Sequence, residues 1–111
     1  MKGLPSFQGL FFPKEMKRLS QDFWGNIENL TFHQIAFEVL TSVSAFAISD
    51  EDLKCVIKEA FNFDVKLKKL SDNDFVLETF HGPTLTFKDF GARFLAQYLK
   101  VYTQGGYLKD M

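Results

Sequence analysis

The side chains of this chain whose types and spacing suggest chemistry lie between Leu77 and Tyr98. An apolar run through Phe80 can be a strand; it reaches His81 and breaks at Gly82-Pro83, which is turn chemistry. Beyond the turn, Phe87, Phe90, Phe94, Leu95 and Tyr98 recur at helical spacings of three and four. Lys88 falls in the first turn of that helix. A helix N-terminus carries about half a positive charge, and Phe87 and Phe90 are placed to wall the side chain from water. Both effects disfavour an ammonium ion, and an uncharged amine attacks an aldehyde to form a Schiff base. The alternative is an ordinary solvated lysine. Thr84 and Thr86 bring two hydroxyls to the turn, where they can donate to a ligand or satisfy local backbone groups. His81 can orient the Gly-Pro turn or contact a ligand. Asp89 suits the positive end of a helix better than acid–base work.

The string Phe80-His81-Gly82-Pro83-Thr84-Leu85-Thr86-Phe87-Lys88-Asp89-Phe90-Gly91-Ala92-Arg93-Phe94 resembles the cofactor-lysine segment of threonine synthases, whose lysine bears pyridoxal phosphate. Gly9-Leu10-Phe11-Phe12-Pro13 resembles an upstream stretch of that family and Leu30–Ala36 its early helix, so the likeness runs in order over roughly positions 9 to 98. It implies that Lys88 is catalytic, holds pyridoxal 5'-phosphate as a Schiff base and moves protons between substrate and cofactor. By the same resemblance Thr84 is a further cofactor contact, and His81 and Thr86 are substrate contacts. Thr86 stands where the family commonly has alanine. The implied activity is that of a lyase of threonine biosynthesis, converting O-phospho-L-homoserine and water to L-threonine and phosphate.

Residues 1–111 are then expected to form a single N-terminal domain fragment, with the cofactor-lysine segment at 77–98. A glycine-rich loop opening a helix usually holds the cofactor's phosphate, and none occurs here. The fragment alone is therefore expected to be inactive. Its expected partners are the small-molecule substrate and the missing C-terminal domains of the same protein. Two other readings stand beside this one: a non-catalytic helical interaction module, and part of another fold type II pyridoxal-phosphate lyase.

Composition excludes several classes. The 111 residues suit one domain, and 46% hydrophobic with fourteen phenylalanines is enough for a core or for a surface meant to be covered. Thirteen basic residues against fourteen acidic ones give no electrostatic case for nucleic acid or an anionic membrane. No apolar run approaches membrane-spanning length and no leader pattern opens the chain, so a cytoplasmic setting is expected. His33 and His81 are the only histidines, without zinc spacing, and the acid run after Ser49 lacks calcium-loop spacing, so no metal site is expected. Cys55, the lone cysteine, reads as a small buried apolar residue.

The positioning elements follow from caps and periodicity. Lys14–Ser20 suggests a short helix, and Trp24-Gly25-Asn26 a break. Thr31 with Gln34 forms a capping-box pattern before a helix with a broad apolar stripe of Ile35, Val39 and Val43 together with Phe32, Ala36 and Leu40. Ser49 caps a second helix carrying Leu53, Val56, Ile57, Ala60 and Phe61. Val65–Lys68 alternates like an edge strand, Ser71–Asp74 is a turn cluster, and Phe75–Phe80 is the next strand. The last helix is expected from about Phe87 to Tyr102, with a surface Asp89–Arg93 pair and an internal Gly91 that either a close neighbour, such as a cofactor or another backbone, or tolerated sequence drift would explain, ending at Gln104-Gly105-Gly106. The expected class is α/β (mixed α+β), helices packed on a small sheet of short strands, as in the N-terminal part of a fold type II enzyme. Uncovered apolar surface predicts self-association of the isolated piece.

Overall fold

The computed structural model describes residues 13–105, and the expectations for residues 9–12 and for Gly106 onward lie outside them. Three hydroxyl caps start the first three helices. Ser20 accepts the Phe23 N–H, Thr31 the Gln34 N–H and Ser49 the Asp52 N–H, each from an extended backbone. They open α1 (Gln21–Asn26), α2 (Phe32–Val43) and α3 (Asp50–Ala60). The capping box is complete, because the Thr31 N–H also donates to Gln34 Oε1 at 2.8 Å.

The N-terminal expectation needs correction. Residues 14–20 form no helix; the Lys17 N–H instead donates to the Ser42 carbonyl at 2.9 Å, tying this stretch to the end of α2. The helix begins only after Ser20 and runs through Trp24-Gly25-Asn26, where a break was expected. The Asn26 side-chain amide donates to the Asp22 carbonyl there, and a 3-10 turn (Ile27–Asn29) continues the chain.

α3 is the centre of the core. Leu53, Val56, Ile57 and Ala60 face inward and cluster with Ile48 and Phe61. Ala36, Phe37 and Leu40 of α2 pack on this cluster, as do Phe90, Phe94, Tyr98, Val101 and Tyr102 of α4 (Lys88–Gln104). Phenylalanine rings seal the joint: Phe61 stacks on Phe94 at 6.2 Å and meets Phe32 edge-on at 5.7 Å. Cys55 is exposed, contrary to the expectation, because positions 53, 56, 57 and 60 define the buried stripe and position 55 falls outside it.

β1 (Lys66–Lys69) and β2 (Phe75–Glu78) form an antiparallel hairpin in which Leu67 pairs with Leu77 and Lys69 with Phe75. Its turn is closed by the Leu70 N–H donating to the Asp74 carbonyl at 2.8 Å and by the Ser71 hydroxyl donating to Asp74 Oδ2 at 2.6 Å. The mixed α and β content is as expected. α2 and α4 pack apolar residues against α3, while Leu67, Phe75 and Leu77 share one face of the hairpin and remain exposed.

Candidate functional site

The segment between β2 and α4 is anchored at both ends by side chains. At its start His81 Nε2 lies 3.0 Å from Glu78 Oε1, and its ring lies 4.6 Å from that of Phe80, so the imidazole is tied back to the strand end. The chain then turns: the Leu85 N–H donates to the Gly82 carbonyl at 3.0 Å. Leu85 has φ 59°, the one non-glycine residue in the left-handed region among the described residues. A branched side chain in that region costs about 1–2 kcal/mol, so this turn is held against its own preference. Thr84 and Thr86 place their hydroxyl oxygens 2.9 Å apart on its exposed side.

Asp89 does the holding. The residue is 2% exposed, and its carboxylate accepts the Thr84 N–H at 3.1 Å on Oδ2 and 3.3 Å on Oδ1. Gly82 makes room for it, since a Cβ at that position would lie 2.5 Å from Asp89 Oδ2. The Asp89 N–H donates to the Thr86 carbonyl and the Phe90 N–H to the Phe87 carbonyl, both at 3.2 Å, so a tight turn leads into α4. Phe87 provides no side-chain cap. The aspartate is therefore a helix-start residue, as expected, with the added task of satisfying the preceding turn.

One expectation about this helix is overturned. Asp89 and Arg93 do not pair. Arg93 Nε donates to the Ala60 carbonyl at 2.8 Å, and Nη2 donates to the Glu59 carbonyl at 3.2 Å and to Asn62 Oδ1 at 2.9 Å. Each partner found a better match off the helix surface, Asp89 in the turn and Arg93 at the open end of α3. A Cβ on Gly91 would meet nothing within 4 Å, so no neighbour in the described chain explains that glycine.

Lys88 opens α4 and is exposed, without an ion pair among the described residues. The expected aromatic wall is not built by this chain: Phe87 is 73% exposed, and Phe90 turns inward against Phe61 and Phe63. The Lys88 amine is thus accessible, on a turn fixed from behind by Asp89. Sequence reasoning placed Lys88, His81, Thr84 and Thr86 in one segment, and the structure brings all four onto the same connection. It missed Gly82 as a space requirement and Asp89 as the acceptor for Thr84. The Gly-Pro-Thr turn followed by an acid five residues later was the available signal.

Elsewhere, a groove of about 620 Å³ between α1, α2 and α3 is lined by Phe23, Leu30, His33, Phe37, Lys54 and Ile57 among others, none of them in 77–98. His33 there donates from Nε2 to the Phe61 carbonyl at 2.7 Å. Among the described residues no three His, Cys, Asp or Glu side chains gather as metal ligands, and no helix is long and apolar enough to cross a membrane.

Comparison with known proteins decides the family. The model of the family described as "Threonine synthase N terminus" matches residues 1–61, more than half of the chain. The chain belongs to the threonine synthase N-terminal family. That match ends before the lysine segment, so it is independent of the string that first suggested it. The threonine synthase of Buchnera aphidicola (subsp. Acyrthosiphon pisum) is 42% identical over 98 residues, covering 87% of this chain and 23% of that protein. The crystal structure of Escherichia coli threonine synthase superposes with a TM-score of 0.78 at 37% identity, over 88% of this chain and 23% of that one. A threonine synthase from Brucella melitensis, described as bound to PLP (pyridoxal phosphate), gives 0.81 at 32% identity, over 94% and 24%. The chain therefore spans about a quarter of the length of these relatives and corresponds to the N-terminal region of threonine synthase. The expected family and fold type are borne out.

Proposed function

We propose that this chain is the N-terminal part of an enzyme converting O-phospho-L-homoserine and water to L-threonine and phosphate, with Lys88 carrying pyridoxal phosphate. The observation that supports the reading most is the placement of Lys88: an accessible primary amine, free of ion pairs among the described residues, on a backbone turn fixed by Asp89. An aldehyde cofactor requires such an amine, so the residues present fit it at that point. The anionic phosphate finds no glycine-rich cradle in this sequence, and we assign that role to the C-terminal domains. When bound, pyridoxal phosphate supplies an electron sink for carbanion chemistry. Lys88 Nζ holds it and accepts or returns protons once substrate has taken its place. The hydroxyls of Thr84 and Thr86, 2.9 Å apart, are positioned to donate to cofactor or substrate oxygens. His81, steadied by Glu78, is a candidate substrate contact.

Partner and location follow from the same reading. The exposed faces carrying Leu67, Phe75 and Leu77 on the hairpin and Leu95 and Leu99 on α4 are surface for the C-terminal domains to cover. The setting we assign is the cytoplasm. The test is to purify the full-length protein containing this chain with pyridoxal phosphate and measure phosphate release from O-phospho-L-homoserine. Lys88→Ala is expected to abolish both turnover and the absorbance of lysine-bound cofactor. Full absorbance in that variant, or turnover only of serine derivatives, would overturn the reading.

A further inference from the structure

The observation that goes furthest beyond this reading is the lock around Lys88. We propose that Asp89 is a positioning residue for the Lys88 amine, acting through the 82–86 turn and not through its charge; the inference rests on the function proposed above.

Four features converge. Asp89 is the one buried charged residue among those described, at 2% exposure, although it directly follows an exposed lysine. Its carboxylate is spent on a backbone N–H, that of Thr84, at 3.1 and 3.3 Å, and so reaches back five residues across Lys88. Gly82 is shaped to it: the hypothetical Cβ would stand 2.5, 2.8 and 2.9 Å from Asp89 Oδ2, Cγ and Cβ. Between them sits Leu85 at φ 59°, a conformation that persists only where its surroundings over-determine it. On the other side of Lys88, Arg93 fastens α4 to the end of α3. Lys88 is thus held between a locked turn and an anchored helix. Loss of the Thr84–Asp89 bond lets Leu85 relax toward negative φ, and that rotates the Thr84 and Thr86 hydroxyls and the first turn of α4 together. A displacement of about 1 Å at a reacting group lowers rate about 100-fold.

The test uses the full-length protein loaded with pyridoxal phosphate and compares Asp89→Ala, Asp89→Asn, Gly82→Ala, the Gly82→Ala/Asp89→Ala pair and Lys88→Ala. Far-UV circular dichroism monitors folding in each. Asp89→Ala is expected to lower kcat about 100-fold with KM changed by less than about 3-fold. Asp89→Asn retains an acceptor oxygen for Thr84 and is expected to keep kcat within about 10-fold of wild type. Gly82→Ala pushes the carboxylate away and reproduces the Asp89→Ala split, and the double variant loses no more than the worse single one, because both break one lock. Amide hydrogen exchange supplies a readout independent of turnover: protection of the Thr84 N–H falls in Asp89→Ala and Gly82→Ala and is kept in Asp89→Asn. Unchanged kcat in Asp89→Ala overturns the proposal, as does an Asp89→Asn variant as impaired as Asp89→Ala, which would mean that charge matters. If Asp89→Ala does not fold, Gly82→Ala and Asp89→Asn decide by the same criteria. Lys88→Ala separates the two claims. Cofactor absorbance surviving in that variant removes the functional reading. Its loss there, together with an untouched Asp89→Ala, removes only the positioning role.

Discussion

Removing the Arg93 guanidinium should loosen the joint between α3 and α4. The last carbonyls of a helix lack intrahelical partners, and Arg93 serves three acceptors at that end of α3. These are the Ala60 carbonyl at 2.8 Å, the Glu59 carbonyl at 3.2 Å and Asn62 Oδ1 at 2.9 Å. Ala60 is fully buried, so its carbonyl has little access to water once the guanidinium is gone. A charge-assisted bond of that kind contributes about 1.5–3 kcal/mol. Glu59 and Asn62 are exposed and rehydrate, which holds their share to about 0.5 kcal/mol each. The guanidinium also lies 5.8 Å from the Phe63 ring, a contact worth about 0.5 kcal/mol. Arg93→Ala is therefore expected to destabilise by about 3–4.5 kcal/mol, a large part of what a domain of this size holds in total. Arg93→Lys presents one ammonium in place of a planar fork and should recover less than half of the loss. Asn62→Ala, which removes an exposed acceptor alone, should cost about 0.5 kcal/mol. Urea unfolding of the 111-residue chain, followed by far-UV circular dichroism, measures all three. An Arg93→Ala loss below about 0.5 kcal/mol, or full recovery in Arg93→Lys, would refute the reasoning.

Three further outcomes are expected. Leu53→Ala, at a position only 1% exposed in the centre of α3, should cost about 3 kcal/mol and broaden or abolish cooperative urea unfolding; a midpoint within error of wild type contradicts the assignment of the core. Gly91→Ala places its methyl in open space on α4 and should raise the stability of the isolated chain by roughly 0.5–1 kcal/mol in the same assay, and a loss would reveal a neighbour that the described residues do not include. The pair Phe75→Glu and Leu77→Glu should lower the average mass of the isolated chain in light scattering without lowering its helical signal. Unchanged association would place the sticky surface elsewhere.

Much of the fold was legible because it rests on local chemistry. Ser20 aside, the caps at Thr31 and Ser49 announce themselves by the residue three positions on, and the stripe of α3 by its spacing. The hairpin showed in the alternation of 65–68 and the turn cluster at 71–74, with β1 one residue later than expected and β2 two residues shorter. What failed was non-local. Arg93 bonds to residues more than thirty positions away, and Asp89 bonds backward across the turn, so an i,i+4 pairing rule had no means to see that both were already engaged. Cys55 was misjudged by residue type where the helical stripe of its own neighbours argued otherwise. The stretch at 14–20 has helix-compatible residues, yet its backbone is claimed by Ser42 at the far end of α2. The Lys88 segment was read from its motif. Its wall of aromatics was not found, because Phe90 is drawn into the core and Phe87 faces outward.

The most direct test fixes the bound cofactor covalently. Full-length protein loaded with pyridoxal phosphate is reduced with borohydride, digested, and mapped by peptide mass spectrometry. The account predicts a single phosphopyridoxyl group on Lys88, in the peptide that contains Phe87 and Asp89. The group on any other lysine, with Lys88 unmodified, would contradict it.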